Sequence, residues 1–410
     1  MKRFVMQALK TPMFLVFIAI VLIYGIAALG QPAAVNRYAI VTAIGIDKAN
    51  DGENEIEVSL LTFTPVANVN YTEKYKVVSA KGRAVSEALD YAGLRLGREV
   101  GLSHVNILVL NIDLLDEDIG HYLDYFSRNK VLAGTTKVVV TDKSAKDFLS
   151  VVEKMDSDSS IKINEVLSYN KEYVYATDSS LESFFKGYFG PTKVSLVPLL
   201  SIIKDETGVG VSASGSDDSG QSSSGSGQTE GEIVNNGDTL VFKEGKRVLM
   251  LDGLDMKIIQ LIKGDFKTGS FVLENYSDDI FTNAELGFEM LENKIHYKVV
   301  YENNIPIFMV ESELTMELAE IENQGVVVEK NVEFMKFTDQ MKNAVILKIK
   351  NLMAEGIELM RDNQIDLIDF YTIMHNSDPK AFSKFLSSLE NEEDYLSQMV
   401  FKINVNIFTR

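Results

Sequence analysis

Apolar and polar residues alternate with two different periods in the first half of the chain. The β-rich runs at residues 38–47 and 55–65 are separated by Asn50-Asp51-Gly52-Glu53, which predicts a β-hairpin. In the segments that follow, stretches with apolar residues at helical spacing alternate with short apolar runs, which predicts helices between strands. The predicted strands lie at residues 38–47, 55–65, 72–79, 105–111 and 136–141, and the predicted helices at residues 83–98, at residues 114–128 and after the capping residue Ser144.

The second half of the chain shows a clean strand pattern followed by a long helical one. From residue 307 to residue 318 apolar side chains alternate with glutamates and a threonine, which predicts an antiparallel strand with one buried face, paired with residues 294–300. Apolar residues at helical spacing predict a helix over residues 338–362, and a second helix follows Asp378-Pro379. We expect the final strand, residues 399–408, to join a sheet.

An uncharged apolar run at residues 13–30 follows Lys2, Arg3 and Lys10. Basic residues before a first apolar segment hold its amino end in the cytoplasm, so the sequence predicts a single-pass membrane protein with an extracytoplasmic remainder. The run is slightly short for a hydrocarbon core of about 30 Å. Ala28-Leu29-Gly30 resembles a signal peptidase site, so an uncleaved anchor and a cleaved signal both stay open.

Composition narrows the classes of function. The formal net charge is -19, which disfavours binding to nucleic acid because an acidic surface is repelled by phosphates. The absence of cysteine excludes disulfides, cysteine-bound metals, thiol catalysis and lipidation at a cysteine.

The elements predict a mixed α+β protein with more than one domain behind the anchor. We expect an anchor and spacer at residues 1–35, an N-terminal α/β domain at residues 36–203 and a C-terminal α+β domain at residues 239–410, whose residues 239–270 could form a small subdomain. The serine- and glycine-rich residues 204–238 lack apolar periodicity, and we interpret them as a linker without secondary structure.

Motifs of catalysis and of cofactor binding are missing from the sequence. The four histidines show no metal-binding spacing, and the chain contains no nucleophile elbow, Walker loop or dinucleotide-binding glycine motif. The sequence therefore predicts no cofactor, no metal site and no catalytic residue. An extracytoplasmic hydrolase with two distant carboxylates stays open as an alternative.

The order of four segments resembles the Ger(x)C family, the C subunits of spore germinant receptors. The segments are AIVTAIGIDK from Ala39, GLSHVNILVLNIDLLDEDIGHYLDYFSRN from Gly101, DTLVFKEGKRVLMLDGLD from Asp238, and the tail from the long helix to the carboxyl end. Gln31 stands where family members carry a lipid-bearing cysteine.

The resemblance implies a non-enzymatic, membrane-tethered subunit on the outer face of the spore inner membrane, acting in nutrient-triggered germination beside polytopic A- and B-type partner subunits. It places Asp47, His104, Phe126 and Arg128 on recurring family positions, which we take as candidate partner contacts. Arg128 also suits a helix carboxyl end, where its charge has a purely structural role. The alternative function is an envelope binding or scaffolding protein of the same fold outside sporulation.

Overall fold

The computed structural model describes residues 16–23, 38–49, 55–63, 75–154, 163–164, 167, 177, 179–205, 231–266, 268–323, 326–327 and 337–409. Residues 16–23 form a helix with exposed apolar side chains, and the rest of the predicted anchor lies outside the described residues. No helix in the described part of the chain is long and apolar enough to cross a membrane. The mixed α+β class predicted from the sequence is confirmed, with two sheets and packed helices.

Nine strands of the described residues form the first sheet, in the order β3-β2-β1-β5-β6-β7-β8-β9, with β4 paired to β1. Strands β1, β5, β6 and β7 run parallel, and the remaining long strands pair antiparallel. The strands are β1 (Tyr38–Lys48), β2 (Ile56–Phe63), β3 (Tyr75–Gly82), β4 (Glu99–Gly101), β5 (Ile107–Asn111), β6 (Lys137–Thr141), β7 (Val194–Asp205), β8 (Gly231–Lys243) and β9 (Lys246–Leu251).

Helices cover both faces of the first sheet. One core lies between the sheet and α1, α2 and α4, and a smaller core lies on the opposite face under α3. A parallel strand that is buried on both faces needs apolar side chains at nearly every position, which explains the sequence ILVLN of β5. The helices are α1 (Val85–Leu96), α2 (Gly120–Arg128), α3 (Ala145–Lys154) and α4 (Leu181–Tyr188).

Helix α2 is shorter than predicted. The sequence predicted a helix from residue 114, but α2 begins at Gly120, after a single 3-10 turn at Ile112–Leu114. Asp118 explains the late start, because its Oδ1 accepts a 2.8 Å hydrogen bond from the backbone N–H of Gly120. Such a local side-chain bond competes with the helical pattern. The predicted N-cap at Ser144 is confirmed by the 3.0 Å bond from the N–H of Asp147.

The hairpin of β8 and β9 belongs to the first sheet. The sequence assigned residues 204–238 to a linker without secondary structure. Instead, β8 pairs with β7 from Lys243 opposite Val194 to Gly231 opposite Asp205, so strands enter the expected linker from both ends. Residues 206–230 lie outside the described residues. The prediction and the structure differ because β7 and β8 are formed by pairing between distant residues, which the local composition of the chain does not encode.

The second sheet joins a long hairpin to the carboxyl-terminal strand. Within the described residues it contains β10 to β13, with β14 parallel to β12. The predicted two-faced strand is confirmed, since Phe308, Val310 and Leu314 are buried while Glu311 is exposed. The strands are β10 (Gly269–Tyr276), β11 (Ala284–Glu302), β12 (Ile305–Asn323), β13 (Val326–Val327) and β14 (Val400–Thr409).

Helix α6 packs its predicted apolar stripe into the second core, which also contains Val241 and Leu251 of the first sheet. The sequence did not predict α7, which begins at Phe370 after the N-cap Asp369. The buried carboxylate of Asp366 accepts hydrogen bonds from the first backbone N–H groups of α7. The helices of this half are α5 (Gly253–Lys263), α6 (Asp339–Asp362), α7 (Phe370–Ser377), α8 (Pro379–Leu386) and α9 (Tyr395–Gln398).

Candidate partner-contact face

Asp47 is buried where β1 ends beside β5 and α3. Its Oδ1 accepts hydrogen bonds from Asn111 Nδ2 at 3.0 Å and from the N–H of Ala145 at 2.7 Å, and its Oδ2 accepts one from the N–H of Lys146 at 2.9 Å. Asp47 and Asn111 meet because the carboxyl ends of the parallel strands β1 and β5 lie at one edge of the sheet. The carboxylate binds two unpaired donors of the first turn of α3.

Burial raises the pKa of the Asp47 carboxyl, and the hydrogen bonds from Ala145, Lys146 and Asn111 oppose that rise. The side chain is only 5% exposed, so it is out of reach of a protein partner. Asp47 is therefore a residue that fixes α3 on the sheet, and the candidate role in partner contact does not fit its position.

Phe126 and Arg128 lie on opposite sides of α2. Phe126 is buried in the core under the helix, with its ring 5.3 Å from that of Tyr125 in an edge-to-face arrangement. Helix α2 ends at Arg128, whose side chain is 79% exposed. Phe126 therefore holds the helix on the sheet, and Arg128 is the member of this pair that a partner can reach.

Arg128 is held in place by Asp124 one turn earlier. Its Nε donates a 2.7 Å hydrogen bond to Asp124 Oδ2, and this bond raises the pKa of the guanidinium. The two terminal nitrogens of the guanidinium are not part of this bond, and a planar guanidinium fork binds carboxylates with two parallel hydrogen bonds.

A groove of about 750 Å³ runs beside Arg128 between α2, the start of α1 and the β1–β2 hairpin. Tyr122 Oη donates a 2.7 Å hydrogen bond to Glu117, and Lys48 Nζ lies 3.4 Å from the same carboxylate. These two contacts lower the pKa of Glu117, while burial is the main cause that raises the pKa of Tyr122. Further lining residues are Arg83, Ser86, His121, Asp124, Tyr125, Arg128 and Asn129.

His104 lines a second groove, of about 530 Å³, that adjoins the first. Tyr125 and Asn129 belong to both grooves, so His104 and Arg128 lie on one continuous surface. We call the residues that line these two grooves the contact face. The structure thus brings together two of the four residues selected from the sequence.

The sequence reading missed His121, Tyr122 and Glu117 on this face. A signal was present, because His121, Asp124 and Arg128 recur at spacings of three and four, which places polar side chains on one side of a helix. The face combines hydrogen-bond donors and acceptors of both charges with aromatic rings, as protein interfaces do. The described residues contain no group of three or more histidines or carboxylates placed to hold a metal ion.

Comparison with known proteins gives consistent matches over nearly the whole chain. Residues 32–202 match the domain family described as Spore germination protein N-terminal domain, and residues 237–410 match the family described as Spore germination B3/GerAC like, C-terminal. Spore germination protein KC of Bacillus subtilis (strain 168) is 20% identical over 390 residues, which covers 91% of this chain and 89% of the relative. The crystal structure of the GerBC protein shares the fold, with a TM-score of 0.52 and 13% identity over 89% of this chain and 96% of that chain.

Proposed function

Because this chain belongs to the GerAC-like, or Ger(x)C, family of spore germination proteins, we propose that it is a membrane-tethered, non-enzymatic subunit of a spore germinant receptor. It acts in nutrient-triggered germination through protein contacts with polytopic A- and B-type subunits. The membrane that holds it is the spore inner membrane.

The observation that supports the proposal is the contact face, which lies on the first sheet of this chain. His104 and Arg128, which the resemblance selected as family positions, are both exposed there, although they come from different elements of the fold. Folding accounts for the other two selected residues, Asp47 and Phe126, because both are buried. The exposure of His104 and Arg128 on a shared concave surface supports binding of a partner.

Assembly with partner subunits tests the role of this face. We expect Arg128→Lys, which keeps the charge and loses the planar fork, and Arg128→Ala to reduce co-purification of the A- and B-type subunits and to delay germination. The variants should stay folded, since Arg128 is exposed. Lys380→Ala, an exposed basic position on α8, is the matched control and should leave assembly unchanged. Normal germination with Arg128→Ala would eliminate Arg128 as a partner contact.

The exposed apolar helix at residues 16–23 supports a lipid-independent tether. Fractionation of the full chain tests it. We expect the chain to stay with membranes in the presence of globomycin, which blocks lipoprotein processing, whereas a Gln31→Cys variant should become sensitive to the compound. Release of a soluble form that begins at Gln31 would refute the tether.

A further inference from the structure

Three neighbouring segments of the first sheet meet at one edge and expose apolar side chains there. Strands β1, β5 and β6 are parallel, so their amino ends lie at the same edge. Tyr38 begins β1, His104 lies in the loop before β5, and Val131 lies in the loop before β6. All three line the smaller groove of the contact face. Tyr38 is 40% exposed and Val131 is 59% exposed.

The same edge is basic in a strongly acidic protein. Residues 127–137 contain Arg128, Lys130 and Lys137 and no acidic residue, and residues 98–106 contain Arg98 and Glu99. These two segments therefore hold four basic residues and one acidic residue, whereas the whole chain holds 40 basic and 59 acidic residues. Two carboxylates from neighbouring helices lie beside them: Asp124, which pairs with Arg128, and Glu182, whose backbone N–H donates to Gly134. With these two counted, the edge still lacks the acidic excess of the protein as a whole.

The chain enters the folded part at this edge. Tyr38 is the first residue of β1, and residues 24–37 connect it to the apolar helix at residues 16–23. A connection of this length spans no more than roughly 50 Å even when fully extended. The edge with Tyr38 is thus the part of the first sheet that the chain holds nearest to the apolar segment.

From this combination we propose that the edge formed by Tyr38, His104, Lys130 and Val131 rests on an anionic phospholipid surface. The inference deepens the proposed tethering and rests on it. Tyr38 and Val131 enter the headgroup region, where amphipathic aromatic and apolar side chains are favoured. Arg98 and Lys130 bind lipid phosphates, and His104 adds a polar ring beside them. Docking at this edge would assign His104 and the smaller groove of the contact face to lipid, and would narrow the partner contact to the larger groove beside Arg128.

The absence of cysteine gives this idea a direct test, because a single introduced cysteine carries a single fluorescent probe. We place the probe at Val131→Cys in the full chain, reconstituted in vesicles of equimolar phosphatidylcholine and phosphatidylglycerol. Leu347→Cys on α6 is the matched control, since Leu347 is 61% exposed and lies in the other half of the protein. Spin-labelled lipids in the bilayer quench a probe that touches the headgroup region.

We expect a blue shift and strong quenching at position 131, neither at position 347, and loss of the effect with Lys130→Glu or in vesicles of phosphatidylcholine alone. Protein that floats with vesicles but shows no quenching at position 131 would overturn the docking and leave the tether intact. Shielding of the probe only after partner subunits are added would show a protein-binding edge and also overturn it. If the full chain does not float with vesicles, the tether fails and the docking falls with it.

Discussion

The hydroxyl of Tyr395 donates a 2.6 Å hydrogen bond to Oδ2 of Asp366, and both residues are buried in the second core. The carboxylate also accepts bonds from the backbone N–H groups of Ile368, Asp369, Phe370 and Tyr371. One side chain therefore closes the start of α7 and attaches α9 to it. Burial raises the pKa of Asp366, and the bonds from Tyr395 and the backbone oppose that rise.

We predict that Tyr395→Phe lowers the free energy of unfolding by about 1–2 kcal/mol, because it removes the hydroxyl and leaves a buried carboxylate oxygen with one donor fewer. The ring itself, which lies 5.7 Å from that of Tyr371, is kept. Urea unfolding of the two proteins measures the difference. An unchanged midpoint would show that the bond has no net effect on stability.

Asp366→Asn should destabilise the protein by about 2 kcal/mol, since an amide nitrogen cannot accept from the donors on Oδ2.

The pH dependence of the unfolding free energy shows whether the ionisable carboxyl of Asp366 causes this difference. Its raised pKa means that the folded state holds the proton more tightly than the unfolded state. That contribution is complete below the unfolded pKa, near 3.8, and is lost as the pH rises through the folded pKa. The stability difference between wild type and Asp366→Asn should therefore shrink as the pH rises through this window, as unfolding curves at several pH values would measure; a constant difference would contradict it.

Gly245 at the β8–β9 turn contacts the start of α2. It has a φ of 77°, and a Cβ there would lie 1.7 Å from Asp118 Oδ1. We expect Gly245→Ala to cost about 2–4 kcal/mol, from the left-handed backbone and the clash together. Gly97 is the matched control, with a φ of 63° and nothing near its Cβ position, so Gly97→Ala should cost about 1–2 kcal/mol. Thermal unfolding compares the two, and equal losses would show that the contact with Asp118 is unimportant.

Asp47→Ala leaves two backbone donors of α3 and the amide of Asn111 without this acceptor, and we expect a loss of about 2 kcal/mol. Because Asp47 is buried, partner assembly should change only as far as the amount of folded protein does. Co-purification normalised to folded subunit measures this. A specific loss of assembly at unchanged stability would return Asp47 to the set of contact residues.

Shortening residues 206–230 to half their number should leave the unfolding midpoint nearly unchanged. The strands on either side are paired up to Asp205 and Gly231, and loop-closure entropy changes by only about 0.6 kcal/mol for each doubling of loop length. Urea unfolding of the shortened chain tests this prediction. A large loss of stability would show that the removed residues pack against the folded part.

The sequence predicted elements well where each one buries a single face. The alternation around Phe308 and the stripe from Met341 to Met360 are confirmed, because a repeated apolar position reports burial on one side. The family resemblance drawn from the order of four segments is confirmed by the two matched domain families. Helix α7 was missed because its start depends on the side chain of Asp366, which no periodicity reveals.

The candidate residues were separated only by the tertiary structure. Asp47 and Arg128 are equally polar in the sequence, yet one is enclosed by Asn111 and α3 while the other lies open beside a groove. The sequence by itself determined the elements that bury one regular face, the acidic character and the family, since these follow from neighbouring residues and their order. The fold decided that β8 and β9 complete the first sheet and that His104 and Arg128 share a surface, because strand pairing and helix packing join residues that are far apart in the chain.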